Sequence, residues 1–121
     1  MRQFKNITGF TILEILITIF IIAITLTSIM TVTATVINGN AFSRELTNAT
    51  ILAQDTLEDL KNTGYSKLTS GGPEKVGATF SRQWTVLTNS PGTGMSTIEV
   101  SVSWNRYGKP KTVKLKTIVT P

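Results

Sequence analysis

A long apolar run near the start of the chain is followed by two shorter periodic patterns. Residues 15–37 are uncharged and strongly apolar. As a helix they extend about 34 Å, because each residue adds about 1.5 Å, and the hydrocarbon core of a bilayer is about 30 Å thick. The run therefore predicts a membrane-spanning helix, which we assign to residues 10–38.

The second pattern has helical spacing. Apolar residues recur at steps of four or three, which predicts a helix with one apolar face. They are Phe42, Leu46, Ala49, Ala53, Leu57 and Leu60. We expect residues 39–63 to form this amphipathic half of the helix, with Gly64 as its C-cap. Asn38, Gly39 and Asn40 are poor helix formers, so a bend or a loosened turn is expected there.

From residue 80 the apolar period changes to two, which is typical of β-strands with one buried face. Three such segments occur, with apolar residues Phe80, Trp84 and Val86, then Ile98, Val100, Val102 and Trp104, then Val113, Leu115 and Val119. Turn-rich segments separate them, as expected for antiparallel neighbours. We therefore predict an α+β fold, in which the helix packs on a small antiparallel sheet of about three strands at 80–121, after a loop at 64–79.

The apolar side of this sheet needs a cover, because an exposed apolar sheet face is unstable in water. The helical stripe from Phe42 to Leu60 is the only candidate in the sequence. Trp84 and Trp104 are therefore expected in the core rather than in a ligand-binding site.

Glu14 is the only charged residue between Lys5 and Arg44. A charge at the centre of a membrane helix costs roughly 2.5 to 3.5 kcal/mol on insertion scales, so this carboxylate needs a compensating partner. Arg2 and Lys5 precede the apolar run, and positive flanks stay on the cytoplasmic side. We expect a single pass with the N-terminus in the cytoplasm. No small-residue cleavage site of the secretory type follows the run.

The first residues, MRQFKNITGFTILEILI, resemble the N-terminus of type IV prepilins and type II secretion pseudopilins. The shared features are a short basic leader ending in Gly9, an aromatic Phe10, a glutamate at Glu14 and a long apolar helix. The resemblance implies that a prepilin peptidase removes residues 1–9 and methylates the new amine of Phe10. It also implies that the Phe10 amine of one subunit meets the Glu14 carboxylate of its neighbour during assembly. Gly9 suits the cut, because a residue without a Cβ lets a protease approach the backbone closely.

A second resemblance covers the end of the helix. Residues similar to those of V-type minor pilins and I-type pseudopilins are Ala49, Leu52, Ala53, Leu57, Glu58, Leu60 and the pair Gly64-Tyr65. The chain has no cysteine. Many major type IVa pilins carry a C-terminal disulfide loop, so this departure favours a minor pilin or a pseudopilin over the main shaft subunit.

The chain carries 12 Lys and Arg against 7 Asp and Glu, a net charge of +5. Much of the excess lies in the C-terminal hairpin, at Arg106, Lys109, Lys111, Lys114 and Lys116. Three interpretations stay open: a solvated sheet face, a DNA-binding surface, and contact with acidic residues of neighbouring subunits in a filament. We favour the solvated face, and DNA is a partner that the sequence allows without favouring.

Enzymatic activity is not expected. The chain has no His and no Cys, and no Gly-rich phosphate loop follows a strand. Nucleophile–base pairs and ordinary metal clusters therefore lack their residues, and we expect neither a metal nor a cofactor. The hydroxyls of Thr18, Thr25, Ser28 and Thr35 are expected to bond their own helix backbone rather than neighbouring helices.

Together these features favour a minor structural subunit of a type IV pilus. Such a subunit is inserted in the bacterial inner membrane, cleaved and N-methylated, and then assembled in or at the tip of an extracellular filament. Its expected partners are a prepilin peptidase, other pilins bound through the N-terminal helix, and the membrane itself. The alternatives are an I-type pseudopilin in a periplasmic pseudopilus of a type II secretion system, and a single-span anchor that presents a basic binding module.

Overall fold

One long helix and four strands, joined by short connections, make up most of the chain that the structure describes. The computed structural model describes Gly9 and residues 11–121. Its elements are α1 (Ile12–Thr63), a short 3₁₀ turn (Tyr65–Lys67), β1 (Gly71–Val76), β2 (Phe80–Thr88), β3 (Ser96–Arg106) and β4 (Lys109–Val119). The chain divides into two units between Ala41 and Phe42. Helix α1 contributes to both.

The first part of α1 makes up nearly all of the N-terminal unit that the structure describes. The helix continues through Asn38, Gly39 and Asn40, so the loosened turn expected there is absent and all three residues are helical. A single glycine costs a helix only about 1 kcal/mol, and the long apolar helix on its N-terminal side and the packed helix on its C-terminal side outweigh that cost.

The sheet of the C-terminal unit has four antiparallel strands in the order β1-β2-β3-β4. In the register, Phe80 lies opposite Trp104, and Val100 lies opposite both Trp84 on β2 and Leu115 on β4. Tyr107 and Gly108 close the last hairpin with positive φ angles of 50° and 74°. Such angles fit a two-residue turn whose twist matches that of the strands.

The predictions of about three strands and of a loop at 64–79 were wrong at β1. Residues 71–76, GGPEKV, pair with β2, from Gly71 opposite Trp84 to Val76 opposite Phe80. The strand has no alternating apolar residues and is mostly exposed on both faces, so periodicity does not reveal it. Its irregular register and its proline fit an edge strand.

Close approach of the β1 backbone to Trp84 explains Gly71. A Cβ at this position would lie 2.7 Å from Cε2 of the Trp84 indole. The indole Nε1 donates a hydrogen bond to the Thr69 carbonyl at 3.0 Å. These contacts place the Trp84 indole against the edge strand β1 rather than at the centre of the sheet.

The core lies between the sheet and the second part of α1, as predicted. Fully buried residues are Ala49, Ala53, Ile98, Val100 and Val102, with Trp104 only 4% exposed. Half-buried residues packed against them are Phe42, Leu52, Leu57, Leu60, Leu68, Phe80, Trp84, Val86, Val113, Leu115 and Val119. Ala49 and Ala53 are the fully buried apolar residues of the helix and belong to the same cluster as the buried residues of β3. The α+β prediction is confirmed, as is the core position of Trp104.

One member of the predicted helical stripe does not belong to the core. Leu46 is 40% exposed, whereas Thr56 is buried and Glu45 is half-buried. Adjacent helix positions are rotated by about 100°, so Glu45 and Leu46 cannot both face the centre of the sheet. Glu45 takes the inner position because Trp104 and Arg106 donate hydrogen bonds to it there.

Candidate functional site

The start of α1 is a capped helix terminus. The hydroxyl oxygen of Thr11 accepts a hydrogen bond from the Glu14 backbone N–H at 3.2 Å. The Thr11 carbonyl accepts the first helical bond, from the Ile15 N–H, at 3.1 Å. Thr11 is thus the N-cap and Glu14 the third helical residue, the spacing of a capping box. This role of Thr11 was not predicted, although T-x-x-E before an apolar run is its signature in a sequence.

Glu14 accordingly lies in the first turn of α1, where it is exposed. A carboxylate in the first turn interacts favourably with the helix dipole, typically by about 0.3 to 1 kcal/mol. Among the described residues, no side chain lies within hydrogen-bond or ion-pair distance of its carboxylate. The dipole therefore offsets only part of the roughly 2.5 to 3.5 kcal/mol that a buried charge costs in a bilayer.

The predicted cleavage position is open on its leader side. Gly9 is exposed, and a Cβ built on it would have no other atom within 4 Å among the described residues. Phe10, the predicted site of methylation and of assembly, lies outside the described residues, as does most of the predicted leader. The structure therefore describes Gly9 and Glu14 of the three predicted site residues.

The apolar part of α1 has no protein cover within the described chain. Its large side chains are exposed, from Ile12 at 80% to Ile37 at 61%. An 18-residue window of this helix has a mean hydropathy of 2.6 and no buried residue. By length and composition this helix is able to cross a membrane.

Hydroxyl groups along this segment bond the helix backbone, as predicted. Thr18 donates to the Glu14 carbonyl at 2.8 Å, and Ser28 donates to the Ile24 carbonyl at 2.8 Å. Thr25 and Thr35 do the same with Ile22 and Thr31. Because their hydroxyl donors are used within the helix, these residues present weakly polar oxygens to their surroundings, and the threonines present methyl groups as well.

The basic hairpin is not one continuous patch, because alternate residues of β4 point to opposite faces of the sheet. Lys114 and Lys116 lie on the outer face, where Glu99 is 3.6 Å from Lys114 Nζ and 2.8 Å from Lys116 Nζ. The hydrogen bond from Lys116 and the charges of both lysines lower the pKa of the Glu99 carboxyl below its ordinary value. These two lysines therefore belong to a solvated, partly neutralised face.

Arg106 and Lys111 lie on the inner side of the same hairpin. Arg106 Nη1 donates to Glu45 Oε1 at 2.7 Å, and the Trp104 indole Nε1 donates to Glu45 Oε2 at 3.0 Å. Arg106 and Lys111 both lie over the Phe42 ring, at 5.8 and 5.7 Å from its centroid. Contact of the hairpin with acidic residues of neighbouring subunits was one of the three interpretations that the sequence left open, whereas Glu45 pairs here with a basic residue of its own chain.

A second arginine pairs at the other side of the helix–sheet interface. Arg82 Nη2 lies 2.9 Å from Glu74 Oε2, and Arg82 Nη1 donates to the Thr56 hydroxyl at 3.3 Å. The buried Thr56 hydroxyl in turn donates to the Leu52 carbonyl at 2.7 Å. This cluster fixes the helix over β2, so its polar groups have a structural role.

Within the part of the chain that the structure describes, no group of three or more acidic, histidine or cysteine side chains is placed to hold a metal ion. No family model, curated protein or solved structure matches the chain. The candidate site is the N-terminal part of α1. It consists of the capped first turn, which carries the charged side chain of Glu14, and the exposed apolar helix that follows.

Proposed function

We propose that this chain is a minor structural subunit of a type IV pilus, held in the inner membrane by α1 and later assembled into a filament through the same helix. The observation that supports this most is the apolar start of α1, with one carboxylate in its first turn, close behind Gly9. The single charge and the uncovered helix are both costly in an isolated protein, and assembly relieves both.

The uncovered apolar face provides the first part of the argument. Large side chains along residues 12–37 are about half exposed or more. Exposed apolar surface of this extent marks a membrane-embedded or protein-contacting segment. A bilayer covers this surface before assembly, and the helices of neighbouring subunits cover it in a filament.

Glu14 provides the second part. In a bundle of apolar helices its carboxylate stays charged only with a cation beside it, because an unpaired buried charge is strongly unfavourable. The new amine of Phe10, produced when the leader is removed, is the cation that the proposal places beside Glu14 of a neighbouring subunit. Removal of the leader thereby couples to assembly, because it creates the partner that Glu14 lacks among the described residues of its own chain.

Replacing Glu14 separates insertion from assembly. Glu14→Gln keeps the side-chain shape and removes the charge, so the variant should insert and be cleaved as the natural chain is. Its incorporation into sheared filaments should fall by at least roughly tenfold. Losing a buried ion pair costs more than about 1.4 kcal/mol, and 1.4 kcal/mol corresponds to a tenfold change in an equilibrium constant.

Thr11→Ala is the matched control, because it removes the N-cap hydroxyl and keeps the carboxylate. This variant should still be incorporated. Incorporation of Glu14→Gln at the level of the unaltered chain would contradict the pairing of Glu14 with the Phe10 amine. Equal losses of incorporation in the two variants would assign Glu14 to helix capping instead. Recovery of the chain in a periplasmic pseudopilus favours the type II secretion alternative.

A further inference from the structure

The inner side of the last hairpin forms a cationic and aromatic surface around one ring, which we call the Phe42 cluster: Phe42, Arg106, Tyr107, Lys109 and Lys111. These residues line a cavity of about 320 Å³. The Arg106 guanidinium lies 4.9 Å from the centroid of the Tyr107 ring and 5.8 Å from that of Phe42. Lys111 Nζ lies 5.7 Å from the Phe42 centroid.

The charge of this cluster is positive after internal pairing. Glu45 pairs with Arg106, which leaves the charges of Lys109 and Lys111 uncompensated by any ion pair within the described residues. Tyr107 is 81% exposed at the tip of the hairpin. Tyrosine combines an apolar ring with a polar hydroxyl. Such a side chain beside two lysines is typical of protein surfaces at membrane–water interfaces.

The position of the cluster in the chain fits such an interface. Phe42 follows Ile37, the last residue of the apolar run, by five residues. Even a fully extended connection of this length spans at most about 18 Å, and a helical one spans about 7.5 Å. The headgroup region on each side of a bilayer is about 5 to 8 Å deep. Because residues 37–42 are all helical, a membrane-embedded run that ends at Ile37 keeps Phe42 within about 7.5 Å of its end, roughly the depth of the headgroup region.

We propose that the Phe42 cluster binds the anionic headgroups of the bilayer in which α1 is embedded, on the side of the C-terminal unit, before the subunit enters a filament. Lys109 and Lys111 contact lipid phosphates, and the rings of Phe42 and Tyr107 lie among the headgroups. The contact holds the C-terminal unit against the membrane. This proposal rests on the membrane insertion that the proposed function contains.

Nucleic acid fits the same surface less well. Lys114 and Lys116 lie on the opposite face of the sheet with Glu99, so a duplex cannot contact all of the hairpin lysines at once. Two uncompensated lysines neutralise about two phosphates, whereas DNA-binding proteins with strong salt dependence make about 6 to 10 such contacts. A lipid surface needs only a few cations, because the apolar helix already holds the protein there.

The test uses the full chain in lipid nanodiscs, with and without phosphatidylglycerol. The chain has no cysteine, so Asn105→Cys at the exposed end of β3 gives a single site for a fluorophore. Quenching by lipids that carry a spin label on the headgroup reports contact of the hairpin with the membrane surface. The same label at Thr93→Cys, in the loop between β2 and β3, gives the background level.

Two double variants remove equal charge from the same strand. Lys109→Gln with Lys111→Gln alters the cluster, and Lys114→Gln with Lys116→Gln alters the outer face. We expect strong quenching of the fluorophore at position 105 in discs that contain phosphatidylglycerol. The quenching reports the equilibrium between the hairpin docked on the membrane surface and the hairpin away from it. The cluster variant should lower this equilibrium constant by roughly 25-fold, about fivefold for each lysine. The outer-face variant should behave as the natural chain does.

Quenching that is independent of anionic lipid, or that both double variants reduce equally, overturns the proposal. A chain that is not retained in nanodiscs overturns the membrane insertion on which it rests, whereas a retained chain whose hairpin stays unquenched overturns this proposal alone. Duplex DNA that binds at physiological salt, and is lost only in the cluster variant, replaces the lipid with nucleic acid.

Discussion

Glu45 and Trp104 are 59 residues apart in the sequence, yet the indole Nε1 of Trp104 donates a hydrogen bond to Glu45 Oε2 at 3.0 Å. The other carboxylate oxygen accepts a bond from Arg106 at 2.7 Å. The helix is thereby fixed to β3 by a polar contact beside the apolar core. Because Trp104 is buried, loss of Glu45 leaves its N–H without an acceptor.

We predict that Glu45→Ala lowers the free energy of unfolding by about 1 to 3 kcal/mol, the cost of leaving buried donors unpaired. Glu45→Gln should cost less, because an amide oxygen still accepts from Trp104. Glu58→Ala, on an exposed position of the same helix, is the control and should change stability by less than about 0.5 kcal/mol. Urea denaturation measures all three. Equal effects of Glu45→Ala and Glu58→Ala would show that the contact does not contribute.

A fragment of residues 40–121 should fold alone, because it contains the whole core between helix and sheet. Circular dichroism and a cooperative urea transition would establish this. Within the fragment, Trp104→Ala should cost about 3 to 5 kcal/mol as a buried aromatic truncation. Trp84→Ala should cost less, because Trp84 is only half-buried. The reverse order would contradict the assignment of Trp104 to the centre of the core.

The close contact between Gly71 and the Trp84 indole predicts a sensitive position on β1. Gly71→Ala should destabilise the fragment by about 1 to 3 kcal/mol, because the added methyl group displaces the ring. Gly92→Ala is the matched control, since its Cβ would lie 3.8 Å from Met95 Sδ, an ordinary contact. Similar stabilities of the two variants would mean that β1 does not pack on Trp84 in solution.

The lowered pKa of Glu99 makes one contribution to stability depend on pH. A carboxyl whose pKa is depressed in the folded state stabilises the fold above its ordinary pKa of 4.5, and this contribution is lost as the pH falls through the folded value. Lys116→Gln should raise the Glu99 pKa back toward its ordinary value, and Lys109→Gln should leave it unchanged. An NMR titration of the Glu99 carboxyl measures its pKa in both variants. A Glu99 pKa that Lys116→Gln leaves unchanged would exclude the pairing.

Strands β2 to β4 could be predicted from the sequence because each has one buried face, and alternation records that face directly. Strand β1 could not be predicted in this way. It is an edge strand that is held by backbone pairing with β2, and most of its side chains are exposed. The contacts of Glu45 could not be predicted for a related reason, because they depend on the long-range packing that brings Arg106 and Trp104 to the helix. The register that places Glu99 opposite Lys116 is likewise a long-range property, which a list of charges does not reveal.

The candidate site rests on local sequence signals. The roles of Gly9, Phe10 and Glu14 are implied by the resemblance of the first residues to prepilins and pseudopilins, and they stay predictions. The N-cap at Thr11 is equally local, and it adds a second role for Glu14 that the motif alone does not specify. The control variant at Thr11 is needed for this reason.

The fate of the first nine residues tests the proposed function most directly. When the chain is expressed with a prepilin peptidase, intact-mass spectrometry should find a product that begins at Phe10 and carries one added methyl group on its amine. The chain expressed without the peptidase should keep residues 1–9, and Gly9→Val should block the cut, because a β-branched side chain hinders approach to the backbone. An unmodified Met1 terminus on chains taken from sheared filaments would contradict the pilin assignment.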